Sequence, residues 1–213
     1  MINLDLTLYL VTDSMHKSDL DFLEIVKQAC DGGATLVQLR EKDKSGLEYM
    51  RLAERVKNVT DQFNVPLIID DRIDVAMAVD AAGVHVGQND IPVCVARKLL
   101  GENTIVGATA KTVAQAQKAK EEGADYLGVG AIYPTTTKVI TMITEVSTLN
   151  AIAEQTHMPI VAIGGLNASN MHVLYKSKAN GIAVVSAIMK SETPYQTTCV
   201  LKKQILENFM CLK

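Results

Sequence analysis

The stretch Thr35-Leu36-Val37-Gln38-Leu39-Arg40-Glu41-Lys42 carries two patterns at once. It begins as a short apolar run, which predicts a strand, and continues with a polar residue at every second position. Strand side chains alternate, so Gln38, Arg40 and, if the strand continues that far, Lys42 share one face while Val37 and Leu39 share the other. The apolar face suits packing against helices, and the cationic face points inward at the carboxyl end. Two cations there need an anion or carboxylates to neutralise them. Either an internal salt bridge with Glu41 or Asp71 does so, or a phosphate or pyrophosphate binds there.

Seven further runs resemble the start of this stretch: Leu6–Val11, Pro66–Ile69, Val84–Val86, Thr104–Val106, Tyr126–Val129, Pro159–Ile163 and Gly181–Val185. Segments of helical spacing lie between them, such as Leu23, Val26, Cys30 and Tyr49, Leu52, Val56, Val59, Phe63. Gly32, Gly101 and Gly123 fall where helix C-caps are expected. The last helix should start at Pro194 and carry Leu201, Ile205, Phe209 and Leu212 on one stripe. Near-continuous apolar strands mean burial on both faces, as parallel sheets require. Eight strand–helix units describe either a closed barrel or an open doubly wound sheet, and strand count does not choose between them.

The chain has 213 residues, 48% of them hydrophobic and 21% charged, enough for a sizeable core in one to two domains. No linker or low-complexity segment divides it. A net charge of −3 with no Trp and three Phe removes both the electrostatic and the stacking case for nucleic-acid binding. The first ten residues contain Asp5 and no basic region, and no apolar run approaches the ~18 residues of a membrane span. Cys30, Cys94, Cys199 and Cys211 are scattered without metal-ligand spacing, so reduced thiols and a cytoplasmic location are expected.

Acidic groups end the third and fourth strands, in Asp70-Asp71-Arg72 and Gly87-Gln88-Asn89-Asp90. Helix capping is their plain role. In one mouth with Arg40 and Lys42 they would instead repel a phosphate, by about 4 kcal/mol at 4 Å and an effective dielectric of 20. A divalent cation reverses that sign. Mg²⁺, which takes one or two carboxylates plus phosphates, is the expected cofactor, with Asp71 and Asp90 as its ligands. After the sixth strand, Pro134-Thr135-Thr136-Thr137-Lys138 lies in a long connection that reads as a working loop able to clamp a phosphate tail. The preceding Gly128-Val129-Gly130 lacks the third glycine of a dinucleotide fingerprint. Gly164-Gly165 and Val185-Ser186 end the last two strands, where backbone amides and a helix start make a second anion site.

Taken in order, these segments resemble the thiamine-phosphate synthase (pyrophosphorylase) family. The match rests on Tyr9-Leu-Val-Thr-Asp13, Gln38-Leu-Arg-Glu-Lys42, Asp71-Arg72, Gly83-Val-His-Val-Gly-Gln-Asn-Asp90, Gly107, Gly123-Ala-Asp-Tyr126, Pro134-Thr-Thr-Thr-Lys138, Gly164-Gly165 and Val185-Ser186. The resemblance implies a single (β/α)8 TIM barrel over residues 1–213 and a transferase that couples hydroxymethylpyrimidine diphosphate to hydroxyethylthiazole phosphate. It implies that Arg40, Lys42, Thr135, Thr137 and Lys138 hold pyrophosphate, with Mg²⁺ on Asp71 and Asp90. Gly165, Val185 and Ser186 would take the thiazole phosphate, and Gln38 and Thr109 would orient the pyrimidine. The implied mechanism is dissociative: pyrophosphate leaves, and the thiazole nitrogen captures a pyrimidinylmethyl cation. Arg40, Lys42, Thr109 and Lys138 are the residues expected to act on the reacting groups. Partners are small molecules only, and homo-oligomerisation is left open.

The chain departs from the family pattern in three places. Asp70 stands where Asn is usual, either as a further metal ligand or as a weakness in diphosphate binding. Thr109-Ala110-Lys111 replaces Ser-x-His, and Ala131 stands where Pro is common. A related thiazole tautomerase would use a histidine at Lys111 and need no pyrophosphate clamp. A Schiff-base aldolase would place its lysine in a strand, unlike Lys138. A non-catalytic precursor sensor, with turnover spoiled by Asp70, is the remaining alternative. His85 reads equally as a pyrimidine contact or a satisfied structural residue.

Overall fold

In the computed structural model, residues 4–135 and 142–210 are described. Thr137 and Lys138 lie outside those residues.

Eight parallel strands close into a barrel in sequence order: β1 (Leu8–Val11), β2 (Leu36–Leu39), β3 (Leu67–Asp70), β4 (Gly83–Val86), β5 (Ile105–Ala110), β6 (Tyr126–Gly130), β7 (Ile160–Ile163) and β8 (Gly181–Val184). The seam is closed by β1 against β8, with Leu8 opposite Ile182 and Leu10 opposite Val184. The choice between barrel and open sheet is thereby made. Alternation along each strand divides the apolar residues into two cores. Tyr9, Leu36, Ile68, Ile105, Tyr126, Val161 and Ala183 fill the barrel. Leu8, Leu10, Val37, Leu39, Ile69, Val106 and Leu127 face the surrounding helices.

Those helices begin where the sequence supplies caps. Ser18 accepts from the Asp21 amide to open α1 (Asp19–Asp31). Ser45 and Glu48 form a reciprocal capping box at α2 (Gly46–Gln62), and Thr112 caps α5 (Val113–Glu121). Between the last two lie α3 (Ile73–Ala78) and α4 (Val93–Leu100), and α6 (Val146–Thr156) follows the long β6 connection. No side chain caps α3 or α4, so Asp71 and Asp90 are not spent as helix caps. Gly32 and Gly101 are C-caps as expected, and Gly123 follows the cap Glu122.

The outer ring is irregular after β7, where a 3₁₀ turn (Met171–Leu174) replaces the expected helix. Asn167 and Asn170 side chains take up backbone and side-chain groups there. The amide of Asn167 donates to Asn170 Oδ1, and Asn170 Nδ2 donates to the Gly165 carbonyl. Such local bonds compete with an α-helical ladder. After β8 comes a four-residue α7 (Ser186–Met189), then α8 (Pro194–Ile205), whose Leu201 and Ile205 are fully buried. No helix among the described residues is long and apolar enough to cross a membrane.

Candidate active site

Parallel closure brings all eight carboxyl strand ends to one face, the face on which barrel enzymes carry their chemistry. A cavity of about 200 Å³ opens there. Gln38, Arg40, Lys42, Asp70, Asp71, Asp90, Thr109, Thr135, Gly165, Val185 and Ser186 all line it. Eleven positions selected from scattered sequence segments therefore converge on one space.

The cationic side is built by β2 and β3. β2 ends at Leu39, one residue before Arg40, so Arg40 and Lys42 reach the cavity from the loop that follows. Tyr49, fully buried on α2, donates its phenol to the Leu39 carbonyl at 2.6 Å and lies 3.3 Å from that of Asp70. It ties the two strand ends together from behind. Arg40 is also held by its amide, which donates to Thr12 Oγ1.

Carboxylates neutralise these cations. Lys42 Nζ stands 2.9 Å from Asp70 Oδ2 and also contacts Asp71 Oδ2, while Arg40 Nε lies 3.7 Å from Asp70 Oδ2. Burial alone would lower the Lys42 pKa, but Asp70 and Asp71 outweigh it and hold the ammonium above its ordinary value. Of the two partners considered from sequence, Asp71 is engaged and Glu41 is not. Glu41 instead accepts from Ser14 and pairs with Lys44.

Asp71 and Asp90 form the acidic side. Asp71 takes a left-handed backbone (φ 60°) at the end of β3, where its amide donates to the His85 carbonyl of β4. Asp90 Oδ2 accepts from the Gly87 amide at 2.8 Å, folding its loop back over the cavity. Asp71 is pushed up to about 6. Burial is the largest cause, then the charge of Asp70 and the neighbouring Asp90, all opposed by Lys42. Two partly desolvated carboxyls held together fit a divalent cation, since hard oxygen donors of this kind are what Mg²⁺ takes. Among the described residues no group of three His, Cys, Asp or Glu side chains is placed to hold a metal, and Asp70 faces the cations. Its Oδ2 is buried and paired with the cations, without a well-directed hydrogen bond.

The opposite wall is small and backbone-rich. Gly164 and Gly165 have φ of 104° and 65°, and a Cβ on Gly165 would meet Tyr133 Cβ at 2.7 Å. Only glycine gives both the left-handed backbone and the clearance. Next to it, Val185 and Ser186 start α7, whose leading amides have no carbonyl one turn back. The β6–α6 connection is pinned at its far end, where Thr144 donates its amide to Ala131 O and its hydroxyl to Gly130 O.

The floor holds two residues that sequence reading left without a role, Tyr9 and Tyr126. Gln38 Nε2 donates to Tyr9 Oη at 2.8 Å, and Tyr9 Oη lies 2.9 Å from Tyr126 Oη. His85 bridges Tyr126 Oη and Thr109 Oγ1, each at 3.0 Å. His85 is therefore both buried in a network and on the cavity wall. The signal available in sequence was the inward register of Tyr9 and Tyr126; Gly107 gains its meaning only in the fold, where a Cβ would stand 2.2 Å from the Tyr126 ring. Lys111 also lines the cavity, and its ammonium has no partner among the described residues.

Fold and site together define a (β/α)8-barrel enzyme with a charged cavity on its carboxyl-end face. Residues 8–188 match the family described as thiamine monophosphate synthase. The chain is 51% identical over 199 residues to thiamine-phosphate synthase 2 of Streptococcus pneumoniae, covering 93% of this chain and 95% of that protein. It is 48% identical over 190 residues to the thiamine-phosphate synthase of Clostridium tetani, covering 89% and 91%. The solved thiamine phosphate pyrophosphorylase of Pyrococcus furiosus superposes with a TM-score of 0.87 at 36% identity, over 95% of this chain and 96% of that one. The chain belongs to the thiamine monophosphate synthase family. A 3-hexulose-6-phosphate synthase, at 16% identity and a TM-score of 0.74, shares the fold alone.

Proposed function

We propose that this enzyme is a thiamine-phosphate synthase, joining hydroxymethylpyrimidine diphosphate to hydroxyethylthiazole phosphate with Mg²⁺ and releasing pyrophosphate. The observation that carries the reading is one cavity lined both by the cations Arg40 and Lys42 and by the glycine and backbone amides of Gly165, Val185 and Ser186. A coupling enzyme with two phosphorylated substrates needs such a pair.

The chemistry asks for charge placement more than for a strong base. The bond between the methylene carbon and the diphosphate oxygen breaks with both electrons leaving on oxygen, and a pyrimidinylmethyl cation remains. The thiazole nitrogen then donates its lone pair to that carbon. Arg40, Lys42, Thr135, Thr137 and Lys138 would neutralise the departing diphosphate. Mg²⁺ held by Asp71 and Asp90 would supply the remaining positive charge. Gln38 and Thr109 would orient the pyrimidine, and the glycine wall would hold the second substrate in line. The same reading takes small molecules as the partners and the cytoplasm as the setting, where free Cys30, Cys94 and Cys199 suit a reducing compartment.

Initial rates with both substrates varied test this mechanism. Direct capture of the cation requires both substrates bound together, so reciprocal plots should intersect. Parallel lines, the signature of a covalent enzyme intermediate, would contradict it.

A further inference from the structure

Four hydrogen bonds connect Gln38 to Thr109 across the cavity floor, through a chain of five side chains from five different strands. Tyr9 and Tyr126 are buried, and Tyr126 lies beneath the cavity rather than on its wall. Burial raises both phenols well above their ordinary value, so both keep their protons. Two glycines make room for the chain. A Cβ at Gly107 would overlap the tip of Tyr126, and one at Gly128 would stand 3.1 Å from His85 Cε1.

The direction of the chain follows from its first member. Gln38 Nε2 can only donate, so Tyr9 Oη accepts there and has its own proton to give to Tyr126. Every buried donor of the chain then finds an acceptor when Tyr126 in turn donates to His85 Nδ1. A neutral imidazole that accepts at Nδ1 carries its proton on Nε2, which donates to Thr109 Oγ1. The Thr109 hydroxyl hydrogen is left to point elsewhere, and Gln38 Oε1 has no protein partner among the described residues. Both end groups line the cavity.

We infer that Tyr9, Tyr126 and His85 are positioning residues that fix a one-way hydrogen-bond relay, presenting Gln38 Oε1 to the ligand as an acceptor and the Thr109 hydroxyl as a donor. The relay deepens the proposed activity and rests on it for the identity of the ligand. It selects a pyrimidine whose edge offers an amino donor toward Gln38 and an acceptor toward Thr109. An oxo-pyrimidine, with a carbonyl in place of the amino group, would put two acceptors face to face at Gln38.

The test has two arms. In the ¹⁵N-histidine-labelled full-length protein, NMR should find His85 protonated at Nε2 and bare at Nδ1; the opposite tautomer would overturn the relay. This arm needs no substrate, so it decides the relay independently of the activity. In the second arm, Tyr9→Phe and Tyr126→Phe remove one hydroxyl each while keeping the ring volume. With folding verified by thermal melting, each should raise KM for the aminopyrimidine diphosphate about tenfold, the value of one hydrogen bond. Each should also cut the preference over the oxo analogue by a similar factor, leaving KM for the thiazole phosphate unchanged. Folded variants with unaltered selectivity would reduce the chain to a structural role and overturn the inference. A wild-type protein that makes no thiamine phosphate would strike the activity instead.

Discussion

Lys42 Nζ stands 2.9 Å from Oδ2 of Asp70, a carboxylate on the edge of the cavity where the proposed chemistry puts a diphosphate. The two anions compete for one ammonium. Asp70→Asn should therefore tighten binding of inorganic pyrophosphate with Mg²⁺ by about tenfold, a fraction of the full Coulomb cost at this separation. Titration calorimetry of both proteins checks this. Unchanged or weaker binding by the variant would mean that Asp70 helps the site.

Removing the cation itself has the opposite effect. Lys42→Ala leaves the buried Asp70 carboxylate with Arg40 alone, 3.7 Å away, so it should also lower the melting temperature of the metal-free protein. Its kcat/KM should fall about 10²–10³-fold, the usual result of losing one charge aimed at a developing anion. Steady-state kinetics with a parallel melt separates the two effects.

Asp71 gives the stability a pH dependence. Burial and its acidic neighbours push its carboxyl up to about 6 from the ordinary 3.8. A raised carboxyl stabilises the fold below the unfolded pKa and loses that contribution as pH rises through the folded one. In metal-free protein the window is thus about pH 4 to 6. Asp71→Asn should be more stable than the parent at pH 8, by roughly 1–2 kcal/mol after solvent screening, and no more stable near pH 3.5. Urea unfolding in EDTA at the two pH values measures it, and an equal effect at both would refute the assignment.

Gly165 is tested by the smallest change. Gly165→Ala forces a Cβ into a left-handed backbone and against Tyr133 and the Pro134 carbonyl. KM for the thiazole phosphate should rise at least tenfold while pyrophosphate affinity stays constant. A rise in both would show that the two walls are not separate.

Tyr49 carries a structural prediction. Its phenol donates to the Leu39 carbonyl and approaches that of Asp70, at the two strand ends that deliver the cations and the acid. Tyr49→Phe should cost about 1–2 kcal/mol in urea unfolding, because a buried acceptor loses its donor.

The cationic wall was legible in part: Gln38 lies on β2, where alternation places it, whereas Arg40 and Lys42 reach the cavity from the loop after Leu39, beyond the reach of that pattern. Barrel closure was not legible in the strand runs themselves, since closed and open parallel sheets bury the same apolar faces. The floor was hidden for a different reason. Tyr9 and Tyr126 read as core residues, and the meaning of Gly107 emerges only when the Tyr126 ring lies against it. The missing helix after β7 reflects Asn167 and Asn170, whose local hydrogen bonds override the expected strand–helix repeat.

Product analysis addresses the central claim most directly. The purified protein is incubated with hydroxymethylpyrimidine diphosphate and hydroxyethylthiazole phosphate, with Mg²⁺ or with EDTA, and products are followed by ³¹P NMR and mass spectrometry. The account predicts thiamine phosphate and pyrophosphate in equal amounts with Mg²⁺ and neither with EDTA. Binding of the thiazole phosphate with no coupled product under either condition would contradict it.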